Sequence, residues 1–82
     1  MLKVVVIDDE VLARLGIKSM IDWASLGCEV VGDAENGKTG LELIRKLVPD
    51  IVLTDIKMPV MDGLELIEHV RREFKNIKIL SI

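Results

Sequence analysis

Four short runs of mainly apolar residues recur along the chain, with longer amphipathic stretches between them. The first run, over residues 2–7, is rich in β-branched side chains, which is typical of a strand covered on both faces. The glycines and prolines between the runs predict three further strands. These cover residues 29–34, 50–54 and 77–82.

The stretches between these strands have the spacing of amphipathic helices. Residues 10–24 carry apolar side chains three and four positions apart, which predicts one long helix. A second predicted helix covers residues 37–48, and Pro49 ends it because proline disfavours helical geometry in the residue before it. A third covers residues 63–74.

Acidic residues follow two of the predicted strands. Strands that alternate with helices predict right-handed β-α-β units, and hence an α/β fold whose parallel sheet has helices on both faces. In such sheets, ligands lie beyond the carboxyl ends of the strands. Asp8, Asp9 and Asp55 all stand at such ends. If the first and third strands are neighbours, the three carboxylates converge.

Three converging carboxylates predict a cation site. Two unit charges about 4 Å apart repel by about 4 kcal/mol at an effective dielectric constant of 20, so the group needs a proton or a cation. Carboxylate and carbonyl oxygens suit Mg²⁺, which phosphate oxygens usually help to coordinate. A carboxylate beside such a metal can attack phosphorus and form an aspartyl phosphate. Asp55 is the predicted nucleophile, and Asp8 and Asp9 are predicted to hold the metal.

Each acidic position also has a plainer interpretation. Asp8 and Asp9 could cap the helix that follows and offset its dipole. Asp62 is expected to be a helix cap, since an acidic residue three positions later completes a capping box. Pro59 and Gly63 are expected to be turn residues. The joint placement of three carboxylates at two strand ends favours the metal site over capping alone.

Length and composition limit the possible functions. Eighty-two residues correspond to one small domain or part of one. A net charge of −3 argues against direct nucleic-acid binding. The single cysteine, Cys28, cannot form an internal disulfide, and with one histidine it cannot build a structural zinc site. No apolar stretch approaches the roughly 18 residues of a membrane span, so we expect a cytoplasmic location.

A nucleotide-binding loop is the competing interpretation. The stretch GDAENGKT, residues 32–39, fits the P-loop pattern between a strand and a helix. Asp33 and Glu35 argue against it, because they would place negative charge against a triphosphate. The chain is also short for a P-loop core, and this interpretation leaves Asp8 and Asp9 unexplained.

Three motifs together resemble a known family. VVVIDDE at the first strand end, AENG at residues 34–37 and DIVLTDIKMPVMDG at residues 50–63 resemble bacterial two-component response-regulator receiver domains, the CheY-like family. The resemblance covers all 82 residues and implies a flavodoxin-like fold with strand order 2-1-3-4. The long first helix with Trp23 and Gly27 further resembles receivers joined to AraC-type DNA-binding domains.

The resemblance also implies roles for individual residues. Asp55 would accept a phosphoryl group from a histidine kinase, with Mg²⁺ as the cofactor. Asp9 would bind the metal directly, Asp8 would act mainly through water, and the main-chain carbonyl of Lys57 would supply another ligand. The chain would serve signal transduction without being an enzyme, and the output DNA-binding domain would lie outside it.

The sequence departs from the family pattern near its end. Receivers have five strands and five helices, whereas residues 1–82 resemble a fragment without the last helix-strand-helix portion. The family's switch hydroxyl would fall just beyond Ile82, and Ser81, two residues early, is the nearest candidate. The lysine that ends strand five is absent. We therefore expect phosphorylation and switching to be impaired.

The predicted fourth strand has a further consequence. Without a fifth strand beside it, residues 77–82 would form an unpaired apolar edge. We expect self-association through this edge, or a partner half that completes the sheet. A scaffold role without phosphotransfer is the remaining alternative.

Overall fold

A computed structural model describes residues 1–58 and 60–82, and within them strands and helices alternate as the sequence predicts. The strands are short, and each of the three connections between them carries a helix that packs on the sheet. A single 3₁₀ turn interrupts this alternation. The elements are β1 (Leu2–Ile7), α1 (Val11–Met20), the 3₁₀ turn (Ala24–Leu26), β2 (Cys28–Ala34), α2 (Gly37–Leu47), β3 (Ile51–Thr54), α3 (Gly63–Glu73) and β4 (Lys78–Ser81).

The four strands form one parallel sheet in the order β2-β1-β3-β4, which confirms the predicted order. The register places Ile7 beside Ala34 on one side and beside Thr54 on the other. Thr54 in turn pairs with Ser81. The carboxyl ends of all four strands therefore lie along one edge of the sheet.

Helices cover both faces of the sheet, as predicted. Val5, Ile7 and Val52 point to the face covered by α2 and α3, where the larger core cluster lies. Val4 and Val6 point to the opposite face, where α1 and the Trp23 side chain pack. Alternate residues of β1 are thus buried on opposite faces, which explains why its sequence is apolar without interruption.

The first helix covers Val11–Met20, so the prediction of one helix over residues 10–24 is wrong. It ends at Met20, Ile21 is extended, and Ala24 lies in the separate 3₁₀ turn. The cause is Trp23, which packs against the sheet and donates its indole N–H to the Ile17 carbonyl at 3.2 Å. That carbonyl is one of those that a helix end leaves without a helical partner.

The predicted starts of α2 and α3 are confirmed. The Asn36 side chain accepts from the Thr39 amide at 2.9 Å. The Asp62 carboxylate accepts from the Glu65 amide at 3.0 Å. Both bonds satisfy amides that the first turn of a helix leaves free. The turn predicted at Pro59 lies outside the described residues.

Where the other observed boundaries differ from the predicted ones, they differ by one residue. β2 begins at Cys28 rather than at residue 29, and β3 begins at Ile51 rather than at residue 50. Asp50, just before β3, exchanges hydrogen bonds with Lys3. β4 covers Lys78–Ser81, which is shorter than predicted at both ends. Within the described residues, no helix is both long and apolar enough to cross a membrane.

Candidate functional site

Three carboxylates meet at the carboxyl edge of the sheet. Asp8 and Asp9 follow β1, and Asp55 follows the neighbouring strand β3. One oxygen from each lies within 4.8 Å of the others. The strand ends are tied together, because the Asp55 amide donates to the Ile7 carbonyl at 3.0 Å. The structure thus brings together the acidic residues that the sequence singled out.

The three side chains differ in exposure. Asp8 is buried, with 5% of its surface exposed, Asp55 is half-buried and Asp9 is exposed. Within residues 1–58 and 60–82, no lysine or arginine side chain forms an ion pair with any of them. Hard oxygen donors without a cationic partner fit a divalent metal such as Mg²⁺. The cluster could therefore hold a metal ion.

Helix capping does not explain Asp8. The N-cap position of α1 is Glu10, and it makes no side-chain cap bond. One oxygen of Asp8 accepts from the Glu10 amide at 2.9 Å, which lies before the first turn of the helix. The four leading amides of the helix itself begin later. The position of Asp8 is thus set by the strand end and not by the cap.

In the turn after β3, the backbone of Gly63 lies very close to the backbone of Asp55 and Ile56. The Gly63 amide donates to the Ile56 carbonyl at 2.7 Å. A Cβ atom at Gly63 would lie 2.4 Å from the Asp55 carbonyl oxygen, so only glycine fits there. The Lys57 amide donates to the Asp55 carboxylate at 3.3 Å. Gly63, which the sequence suggested was a turn residue, is therefore part of what positions Asp55.

The two remaining predicted site residues lie close by. Lys57 is exposed two positions after Asp55, and its carbonyl remains a predicted metal ligand. Ser81 is exposed at the end of β4, beside Thr54 in the register. Ser81 thus shares the carboxyl edge of the sheet with the acidic cluster, and its switch role remains a prediction.

The backbone conformation of residues 32–39 contradicts the P-loop interpretation. Gly32, Asp33 and Ala34 belong to strand β2, which leaves two residues before the helix, too few for a loop that cradles phosphates. The Asn36 side chain already occupies the Thr39 amide at the helix start. The stretch instead forms a strand end and a capped helix.

Sequence reasoning missed Arg14. Its guanidinium donates to the Asp8 carbonyl and to the Asp33 carboxylate, both at 2.7 Å. Lys18 reaches the second oxygen of Asp33 at 3.1 Å. Burial, the largest single influence, raises the pKa of Asp33, but hydrogen bonds and charge from Lys18 and Arg14 together hold it below its ordinary value. The available signal was a cationic residue in the first turn of the helix that follows the acidic strand end.

Comparisons with known proteins agree with this geometry. The family model described as the response regulator receiver domain matches residues 4–82. The uncharacterized transcriptional regulatory protein YesN of Bacillus subtilis (strain 168) is 47% identical over 82 residues, which are all of this chain and 22% of that protein.

Solved structures show the same similarity. The REC domain of AraT, a response regulator from Geobacillus stearothermophilus, superposes with a TM-score of 0.94 and 39% identity, over 98% of this chain and 62% of that one. A two component transcriptional regulator AraC from Clostridium phytofermentans superposes with a TM-score of 0.91 and 30% identity, over 99% and 65%. This chain spans less than two thirds of each. By fold, acidic cluster and sequence, it belongs to the family of response regulator receiver domains.

Proposed function

We propose that this chain is a phosphoacceptor in a two-component system and that Asp55 receives the phosphoryl group from a histidine kinase. The observation that carries the proposal is the meeting of three carboxylate oxygens within 4.8 Å at one sheet edge. Asp55 is the half-buried member of the three, so it is accessible to a donor while the protein holds its backbone. Phosphoryl transfer depends mainly on such positioning and on charge stabilisation.

The transfer exchanges one bond to phosphorus for another. One oxygen of Asp55 forms a bond to phosphorus, and the bond from phosphorus to the donor imidazole nitrogen breaks. The nitrogen keeps the bonding electron pair, and the released imidazole can take up a proton. Mg²⁺ bound by Asp8, Asp9, Asp55 and the Lys57 carbonyl would offset the negative charge on the phosphoryl oxygens. Asp9 would bind the metal directly, and Asp8 mainly through water.

Phosphorylation by acetyl phosphate with Mg²⁺ tests the proposal. We expect an acid-labile, hydroxylamine-sensitive adduct on Asp55, lost in Asp55→Asn because a neutral amide replaces the nucleophilic carboxylate. Asp9→Ala should abolish both Mg²⁺ binding and the adduct. Glu68→Gln, which removes an exposed carboxylate from α3, is the matched control and should leave both unchanged. Persistence of the adduct in Asp55→Asn would refute the assignment.

The same assay decides between signalling and a scaffold role. A folded chain that binds Mg²⁺ but gives no adduct would favour the scaffold alternative. The impaired switching expected from the sequence stays a prediction, which the yield and lifetime of the adduct would measure. Control of transcription is proposed for a longer protein with an output domain, because this chain matches 22% of the Bacillus subtilis relative.

We propose in addition that two copies of this chain associate through β4. Within the described residues, β4 pairs with β3 alone, so its outer edge presents backbone groups that another strand can pair with. Leu80 and Ile82 are exposed beside that edge. A two-fold axis would join two such edges as antiparallel strands.

Sedimentation over a concentration series tests this association. We expect a dimer at high micromolar concentration, and a monomer when Leu80→Lys places charge on the edge. Glu68→Gln again serves as the control, since it lies on α3 away from the edge. A monomer that unfolds cooperatively at high micromolar concentration would contradict the proposal. Association only with a separate polypeptide would favour a complementing half and would also overturn it.

A further inference from the structure

Arg14 connects helix α1 to the backbone beneath the acidic cluster. The residue lies in the first half of α1, and its side chain is only 15% exposed. Its Nη1 donates to the Asp8 carbonyl at 2.7 Å, and its Nε donates to the Asp33 carboxylate at 2.7 Å. Two short bonds from one rigid, planar group fix its position with respect to both strands.

Asp8 is held at each of its polar main-chain groups and at its side chain. Its amide donates to the Ala34 carbonyl at 3.1 Å, and one carboxylate oxygen accepts from the Glu10 amide at 2.9 Å. Its carbonyl accepts from Arg14. Of these three bonds, the one from Arg14 comes from the side chain of another residue, so a substitution can remove it without changing Asp8 itself.

Asp33 lies behind Arg14 and supports it from the neighbouring strand. Asp33 lies in β2, pairs with Val6 of β1 and accepts from Arg14 and Lys18 through different oxygens. Arg14 therefore joins the ends of β1 and β2 to α1. Residues that hold a metal ligand in this way are commonly needed for full metal affinity.

We propose that Arg14 is a positioning residue for the acidic site, which fixes the Asp8 backbone so that its carboxylate meets those of Asp9 and Asp55. The inference rests on the proposed function, because it takes the cluster to be a Mg²⁺ site. Arg14 makes no contact with the phosphoryl donor in this scheme and acts only through Asp8.

Charge and positioning predict opposite effects of removing Arg14. A nearby positive charge repels Mg²⁺, so its loss alone would tighten metal binding. Loss of positioning would weaken it, because Asp8 would no longer be held in place. A simple affinity measurement therefore separates the two effects by sign.

The test is Mg²⁺ titration by calorimetry on Arg14→Gln, Arg14→Lys and Lys18→Ala. We expect Arg14→Gln to raise the Mg²⁺ Kd about tenfold. Arg14→Lys keeps the charge but cannot make both bonds, so a smaller rise is expected. Lys18→Ala removes a neighbouring charge and leaves the bond to Asp8 intact, so its Kd should stay equal or fall. Arg14→Gln binding Mg²⁺ as tightly as the parent, or more tightly, would overturn the proposal.

A measurement without metal tests the positioning role of Arg14 independently of the proposed function. Hydrogen exchange at the Asp8 amide should be faster in Arg14→Gln than in Lys18→Ala, relative to amides in the middle of β1. Equal exchange in the two variants would overturn the positioning role, whether or not the parent binds Mg²⁺. If the parent fails to bind Mg²⁺ while exchange at Asp8 responds to Arg14, the proposed function fails and the positioning of Asp8 stands.

Discussion

Gly63→Ala provides a direct test of how the turn after β3 controls Asp55. A Cβ atom at this position would lie 2.4 Å from the Asp55 carbonyl oxygen and 2.6 Å from the Ile56 Cα. Ordinary contacts of a Cβ begin near 3.4 Å, so the first distance is 1.0 Å too short. Both contacted atoms are backbone and cannot rotate away. The turn must move by about this distance, and Asp55 moves with it.

The expected loss follows from that displacement. A misplacement of about 1 Å at a reacting group can lower the rate about 100-fold. Overpacking also costs about 1–3 kcal/mol of folding free energy, which must be separated from the loss in rate. Gly40→Ala is the matched control, because its Cβ would lie 2.5 Å from the Ile7 Cδ1, the flexible end of a side chain. This contact can be relieved without moving Asp55.

The assay is the initial rate of adduct formation with acetyl phosphate at saturating Mg²⁺, alongside urea unfolding of each variant. We expect the rate to fall about 100-fold in Gly63→Ala and to remain close to the parent rate in Gly40→Ala. Unfolding then shows how much of each protein is native during the assay. A folded Gly63→Ala that accepts phosphoryl as fast as the parent would refute the reasoning, and so would an equal loss in both variants.

Three further predictions concern stability. Asp62→Ala removes the cap of α3 and should lower the free energy of unfolding by about 1 kcal/mol in urea titration; no change would mean that the cap is replaced by water. Ile44→Val removes one methylene from a fully buried side chain and should cost about 0.5–1.5 kcal/mol by the same measurement; a neutral result would indicate that the core closes around the gap. Burial raises the pKa of Asp33, but Lys18 and Arg14 bring it below the ordinary value, so its contribution is fully present above the unfolded pKa of about 3.9 and is lost as pH falls through the folded pKa. The stability difference between the parent and Asp33→Asn should therefore shrink on acidification, and a constant difference between pH 7 and pH 3 would contradict this.

Local sequence patterns alone determined much of the fold and of the candidate site. The unbroken apolar run of β1 predicted a strand buried on both faces, and the structure buries alternate residues of it against different helices. Asp62 was predicted as a cap because capping depends on residues three positions apart. Asp8 and Asp55 were predicted to meet because strand ends in a parallel sheet share an edge. These features depend on short-range spacing or on a general rule of topology, and both are visible in a sequence.

Tertiary structure decided the features that depend on distances between distant residues. The early end of α1 follows from Trp23 packing on the sheet, which no helical periodicity reveals. The bond from Arg14 to the Asp8 carbonyl and the contact of Gly63 with the Asp55 backbone are likewise set only when strands and helices pack. Spacing along a chain specifies which residues can share a face, but a hydrogen bond or a clash is a matter of about an ångström. Only the packed core defines positions that finely.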